Sequence, residues 1–266
     1  MLRLSLQDRV SRNLKQELFG AQANLVPPLV LMHDGPPDYK KFKQNGDEYL
    51  EIMVVRCGLK PHHRVLDLGC GIGRKTLPLV AYLDSTGSYE GMDIVEAGIK
   101  WCQTKYTPRY PNFHFRLMDV WNGVYHPAGK TKSSEYRFPF QDGEFDFVIL
   151  GSVFTHMLPE DMRNYTSEIG RLLKPRGKSL ISYFLLNEES KGLISSARST
   201  QKIVHEIAPG CQVADLEILE DAVGYDEDQI LSLYAKCGLK ASIYYGSWCG
   251  REKFLTYQDL VIGEKS

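Results

Sequence analysis

A chain of 266 residues with 43% apolar and 24% charged side chains can bury a substantial core, and this composition excludes a disordered, collagen-like or low-complexity class. Its 32 basic and 33 acidic side chains leave a formal charge of −1, so no global basic field is offered to a nucleic-acid backbone, although a local patch is compatible with it. The cysteines, at 57, 70, 102, 211, 237 and 249, form no C-x-x-C pair and no interleaved histidine pattern, which argues against a zinc site or a disulfide framework. A reduced, cytoplasmic protein is expected, with no transmembrane segment, because no apolar run approaches bilayer length and the N-terminus lacks a secretory core.

In chain order, Leu6, Val10, Leu14 and Leu18 recur at helical spacing between Leu2 and Phe19. Asp8 and Glu17 disfavour a membrane-surface or transit role, so this helix is expected to pack on the domain or on a second copy of the chain, as in a homodimer. Pro27-Pro28 and Asp34-Gly35-Pro36-Pro37 mark irregular chain, and a second helix is expected from Tyr39 to Cys57, stopped by Gly58.

The stretch that organises the rest is Arg64-Val65-Leu66-Asp67-Leu68-Gly69-Cys70-Gly71-Ile72-Gly73. Val65 to Leu68 has the length and branching of a buried strand, the glycines at alternate positions permit a sharp turn without Cβ atoms, and Arg74-Lys75-Thr76-Leu77 can open a helix. A dinucleotide fingerprint, G-x-G-x-x-G, would need glycine where Arg74 stands. The pattern present is D-x-G-x-G-x-G, with Asp67 at the strand end, where a carboxylate repels pyrophosphate and suits a cationic ligand. In these residues the chain resembles the class I S-adenosylmethionine-dependent methyltransferases, whose first motif has this form and whose cofactor, S-adenosyl-L-methionine, carries a sulfonium and an ammonium.

The resemblance implies that Asp67, Gly69, Cys70, Gly71 and Gly73 belong to the cofactor site. It also implies that the helix ahead of the first strand, with the loop before it, closes over the cofactor, which makes His33, Asp34, Tyr39 and Phe42 candidates for a lid. A helix that merely covers the sheet is the competing reading. The second strand, Ser88 to Met92, ends in Asp93, 20 residues beyond Gly73, where an acid can accept from both ribose hydroxyls of an adenosine. Ile94 and Val95 would flank adenine, and Ala97 to Tyr106 reads as a helix.

The third strand, Phe113 to Met118, leads to Asp119-Val120. The family often places an acid there for the adenine amine, with a backbone amide reading a ring nitrogen; a solvated loop acid is the alternative. Residues 121–144, too long for a simple connection, mix Trp121, Tyr125 and Tyr136 with Lys130, Lys132 and Arg137. They read equally as an acceptor-binding insertion, with Tyr136 among the contacts, or as a packed surface loop. The fourth strand, Phe145 to Leu150, runs into Gly151, which should lie near the transferable methyl group with the residues up to His156. His156 is the general-base candidate, or a brace of the turn.

Pro159-Glu160-Asp161 starts a helix and Leu172 to Gly177 ends it, with Arg176 standing where the family commonly has the first glycine of K-P-G-G. Lys178 to Leu186 is expected as strand five, residues 187–224 as a substrate-side insertion, Asp226 to Cys237 as a helix and Lys240 to Tyr245 as strand six. The turn before the final strand, Asp259 to Gly263, carries Trp248 and Arg251, which could bind apolar and anionic parts of a substrate or form a packed hairpin tip.

The expectation is an α/β protein: a Rossmann-like, seven-stranded, mostly parallel sheet with an antiparallel last strand and helices on both faces. Residues 1–58 form an N-terminal helical lid and residues 59–266 a methyltransferase domain. Its activity is methyl transfer to a small-molecule acceptor, with no metal required. A methyltransferase acting on RNA or protein, a non-catalytic cofactor-binding or scaffold protein, and a nicotinamide oxidoreductase are the alternatives; nucleic acid is disfavoured by the charge balance and the oxidoreductase by Arg74.

Overall fold

The computed structural model describes residues 14–123 and 125–266. Most of the expected helix from Leu2 to Phe19 lies outside the described residues; residues 14–19 of it are helical. The chain divides into two compact units, one made of the described residues up to His63 with Cys70–Met118, the other of Arg64–Gly69 with Asp119–Ser266.

The first unit holds α1 (Tyr39–Val55), α2 (Thr76–Tyr82), β2 (Ser88–Asp93), α3 (Glu96–Lys105) and β3 (Phe113–Leu117). Asp38 caps α1 by accepting from Lys41 N at 2.8 Å, satisfying one of the amides that a helix start leaves without a partner. The second unit holds β1 (Arg64–Leu68), β4 (Phe145–Leu150), α4 (Pro159–Leu172), β5 (Leu173–Tyr183), β6 (Leu185–Leu186), α5 (Glu188–Ser195), β7 (His205–Ala208), β8 (Cys211–Val213), β9 (Val223–Asp226), α6 (Glu227–Lys236), β10 (Leu239–Tyr244) and β11 (Asp259–Lys265). Helix α4 starts on a proline, carries Glu160 and Asp161 in its first turn, and buries Met162, Tyr165, Thr166 and Ile169, the spacing of a helix with one face on a core.

Seven strands form one sheet in the order β10-β11-β5-β4-β1-β2-β3. Pairing is parallel for β1 with β4, β4 with β5 and β2 with β3, and antiparallel for β11 with both neighbours, so the expected α/β class holds down to the reversed last strand. The apolar runs of β1 and β4 are buried along nearly their whole length, as parallel strands covered on both faces require.

Two expectations about strand five are corrected. It begins at Leu173 rather than Lys178, because Phe145 pairs with Leu173 and Phe147 with Lys178, so that Lys174 to Gly177 form an irregularity within the pairing rather than a helix stop. Arg176 adopts φ 65°, the left-handed backbone for which glycine is the easier residue. The strand also ends at Tyr183, and Leu185–Leu186 leave it to pair with β9.

That departure founds an element the sequence reading did not anticipate. The stretch 187–224 contributes to a second, four-stranded sheet of order β6-β9-β8-β7, with α5 ahead of it. The cap of α5 is reciprocal: Asn187 Oδ1 accepts from Ser190 N, and Asn187 N donates to Ser190 Oγ, both at 2.9 Å. Phe184, Leu186, Ile203, Ala222, Trp248 and Cys249 make a separate apolar cluster there. All six cysteines are free, and no helix of the described residues is long and apolar enough to cross a membrane.

Candidate active site

In the first unit several of the expected cofactor residues gather where β2 ends. Gly71 and Gly73 adopt φ 57° and 93°, which L side chains rarely occupy. A Cβ on Gly71 would lie 2.5 Å from Asp34 Oδ2, and one on Gly73 would crowd Tyr106 and Cys102. Asp93, 7% exposed, accepts from Gly71 N through Oδ2 at 2.7 Å and from Val95 N through Oδ1 at 2.8 Å. The two amides hold the carboxylate at the strand tip, and each oxygen retains a lone pair for a further donor. Cys70 is buried, its amide donating to Met92 O at 3.1 Å, and Ile94 is half-buried next to Asp93.

In the second unit, β1 and β4 lie side by side although the chain visits β2 and β3 between them, which makes their carboxyl ends the switch point where open α/β sheets bind ligands. Asp67, fully buried, pairs with Ile149 there. Gly69 has φ 76°, and a Cβ on it would run into the Val153 side chain. Past Gly151, Ser152 takes φ 57°; its amide donates to Ser182 Oγ at 2.7 Å and its hydroxyl to Gln258 Oε1 at 2.9 Å. Left-handed backbone at a non-glycine residue, secured on both sides, is strain of the kind that concentrates at functional sites.

His156 ends a short 3-10 turn, Phe154–His156, with Nδ1 2.9 Å from the Glu220 carbonyl oxygen. A carbonyl only accepts, so Nδ1 carries the proton and Nε2 of the neutral ring keeps its lone pair. The Glu220 carboxylate accepts from Asn122 Nδ2 at 3.1 Å; burial, then the Asp161 carboxylate, pushes its pKa upward. Residues from both expected insertions therefore meet beside His156. Neither Glu220 nor Asn122 stood out in the sequence, because the contact to His156 is made by a backbone carbonyl, which leaves no mark on residue type.

Asp119 is exposed, its Oδ1 accepting from Lys130 N at 3.2 Å, while Val120 is buried and forms a bridge with Thr131. Tyr136 packs against Phe138 with ring centroids 5.3 Å apart; burial, then the Asp119 carboxylate, raises its hydroxyl pKa, so these two expected site residues share a neighbourhood. Among the described residues no group of His, Cys, Asp and Glu is placed to hold a metal ion.

Three expected substrate contacts are engaged elsewhere. Tyr39 is buried with Lys15 Nζ 5.5 Å from its ring centroid, which makes it part of the packing of the first unit. Trp248 is fully buried in the cluster behind the second sheet, its Nε1 donating to Asp259 Oδ2 at 2.6 Å. Arg251 donates to Asp259 Oδ1 at 2.8 Å and to Glu189 Oε2 at 2.9 Å and lies over the Tyr245 ring. Its charge is met by two carboxylates of the same chain, as a packed hairpin tip requires.

Residues 65–177, which include the glycine turn, the Asp93 strand tip and His156, match the family described as "Methyltransferase domain". Over this stretch, less than half of the chain, the protein is similar to a methyltransferase domain. Outside the match lie the whole insertion at 187–224 and the two antiparallel strands β10 and β11.

Curated relatives of the methyltransferase domain differ in what their names say they act on. A tRNA N(3)-cytidine methyltransferase of Gallus gallus is 26% identical over 150 residues, covering 53% of this chain and 34% of the relative. The phthiotriol/phenolphthiotriol dimycocerosates methyltransferase of Mycobacterium tuberculosis is 32% identical over 114 residues, covering 43% and 35%. The chain spans about a third of the length of these relatives. Among solved structures, the PH0226 protein from Pyrococcus horikoshii OT3 superposes with a TM-score of 0.58 at 16% identity, covering 86% of this chain and 93% of that one. The 1,6-didemethyltoxoflavin-N1-methyltransferase of Burkholderia thailandensis, solved with its acceptor and S-adenosylhomocysteine, gives 0.55 at 16% identity, covering 100% and 93%. At these identities the likeness to the solved structures is one of fold.

Proposed function

We propose that this protein transfers the methyl group of S-adenosylmethionine to a nucleophilic atom of a small-molecule acceptor. The observation that carries the cofactor half is the Asp93 strand tip: its carboxylate, clamped to the Gly71 and Val95 amides, retains acceptor capacity for both ribose hydroxyls. Asp67, whose charge suits a cationic ligand, Cys70, Gly73, Ile94, Gly151, and Asp119 with the Val120 amide for the adenine are the further cofactor contacts carried over from the sequence reading. When bound, the cofactor supplies an electrophilic methyl carbon on sulfur. The task left to the protein is to hold the acceptor in line and dry, with His156 Nε2 taking a proton where the acceptor must lose one.

A small acceptor is favoured by the Asn122–Glu220 hydrogen bond, which joins the two insertions beside His156 as an enclosure would, and Tyr136 is the acceptor contact retained from the sequence reading. The tRNA-modifying relative recommends RNA as the second reading, but the Glu220 and Asp161 carboxylates near His156 would oppose a phosphodiester. The test measures S-adenosylhomocysteine release on a metabolite panel and on tRNA. His156→Ala should slow turnover on the true acceptor by about a hundredfold with cofactor affinity unchanged; undiminished turnover would remove the base, and activity on tRNA alone would overturn the small-molecule class.

A further inference from the structure

We infer that Asp34 is the counter-ion for the α-ammonium group of the cofactor's methionine moiety, and that Arg74 sets it in place; the inference rests on the proposed cofactor. The evidence begins with Arg74, the residue that breaks the dinucleotide pattern. Its side chain is only 6% exposed, its guanidinium lies 4.7 Å from the Phe42 ring centroid, and Nη2 donates to the Asp34 carbonyl oxygen at 2.6 Å and to Asp34 Oδ1 at 3.1 Å. Two bonds to one residue fix both its backbone and its carboxylate. With Oδ1 taken by Arg74, Oδ2 is turned over the glycine turn, 2.5 Å from where a Cβ of Gly71 would be.

The loop is seated from its other side as well. A Cβ on Gly98 would lie 3.0 Å from His33 Cε1 and 2.8 Å from the Gly71 carbonyl oxygen, so His33, the start of α3 and the turn are in close contact. His33 Nδ1 lies 3.2 Å from the Leu31 carbonyl oxygen and must donate to it, which leaves Nε2 of the neutral ring as an acceptor; that atom is buried and has no partner among the described residues. The segment His33-Asp34 thus carries a carboxylate oxygen that lies over Gly71 and, on the adjoining residue, a buried imidazole acceptor, and Pro36-Pro37 stiffen the chain behind it.

Of the charged groups on the cofactor, only the ammonium has N–H donors. The sulfonium has none, and the α-carboxylate has no donor to offer Asp34 Oδ2. An ammonium offers three donors, which suits two nearby acceptors of this kind better than one point charge would. Arg74 therefore has a positioning role, and Asp34 touches the ligand.

Three ligands that all keep the α-carboxylate separate the cationic groups: S-adenosylmethionine carries sulfonium and ammonium, S-adenosylhomocysteine only the ammonium, and the deaminated analogue of S-adenosylhomocysteine neither. Each is titrated calorimetrically into the full chain and into Asp34→Asn, which keeps the side-chain shape and an oxygen for Arg74. The expected result is a loss of about tenfold or more for the first two ligands with the third within about twofold, the last also showing that the variant is folded. Equal weakening of all three would reduce Asp34 to a structural loop residue, weakening of S-adenosylmethionine alone would move it to the sulfonium, and no weakening would remove it from the site. A wild-type chain that binds none of the three would overturn the cofactor reading itself, an outcome distinct from a failure confined to the variant.

Discussion

Asp93→Ala is expected to weaken S-adenosylmethionine binding by about a hundredfold or more while the chain remains folded. Two charge-assisted hydrogen bonds to ribose hydroxyls are worth roughly 1.5–3 kcal/mol each, and both disappear with the carboxylate. A second loss adds to the first, because the carboxylate also holds the Gly71 amide at 2.7 Å and the Val95 amide at 2.8 Å, so its removal relaxes the turn on which the nucleoside rests. Asp93→Asn, which keeps one acceptor oxygen, should fall between wild type and alanine. Calorimetry with circular dichroism as the folding control decides the matter, and an unchanged dissociation constant in the alanine variant would rule out the ribose role.

Arg251→Met should lower the free energy of unfolding by about 3–5 kcal/mol, because it leaves a buried carboxylate without its counter-ion. Asp259 is 0% exposed and accepts from Leu185 N at 2.8 Å, Gly246 N at 2.7 Å, Trp248 Nε1 at 2.6 Å and Arg251 Nη1 at 2.8 Å. This one side chain ties the start of β11 to β6, to the turn before β11 and to the core of the second sheet. Urea denaturation measures the loss. If stability instead stayed within about 0.5 kcal/mol of wild type while the acceptor KM rose, Arg251 would return to substrate binding, since a surface cation away from such features has only a small effect on stability.

The contrast between these two positions shows what the sequence could carry. The position of Asp93 was legible because it depends on local facts: a strand, its end, and a fixed number of residues after a glycine turn. The seven-stranded sheet was legible for the same reason, since Val65 to Leu68 and Phe145 to Leu150 are apolar runs that only a covered parallel strand explains. Arg251 and Trp248 have the residue types of a ligand site, and both donate to a partner, Asp259, whose proximity is set by tertiary folding. The second sheet escaped for another reason. Its strands are two to four residues long, and β7 exposes His205 and Glu206, so no alternation could build up above the noise of a polar loop. The start of β5 was hidden by Lys174-Pro175-Arg176-Gly177, a composition that reads as a turn and occurs here as an interruption inside a strand pairing.

Arg74 lies between these cases. Its presence excluded a pyrophosphate fingerprint, a negative inference that needed only spacing. Its grip on Asp34, 40 residues earlier in the chain, required the fold.

The central claim, that the glycine turn holds a cationic nucleoside, is tested most directly by calorimetric titration of the full chain with S-adenosylmethionine and, separately, with NAD. Saturable binding of S-adenosylmethionine with no heat from NAD is the predicted result. Binding of NAD with none of S-adenosylmethionine would contradict the claim.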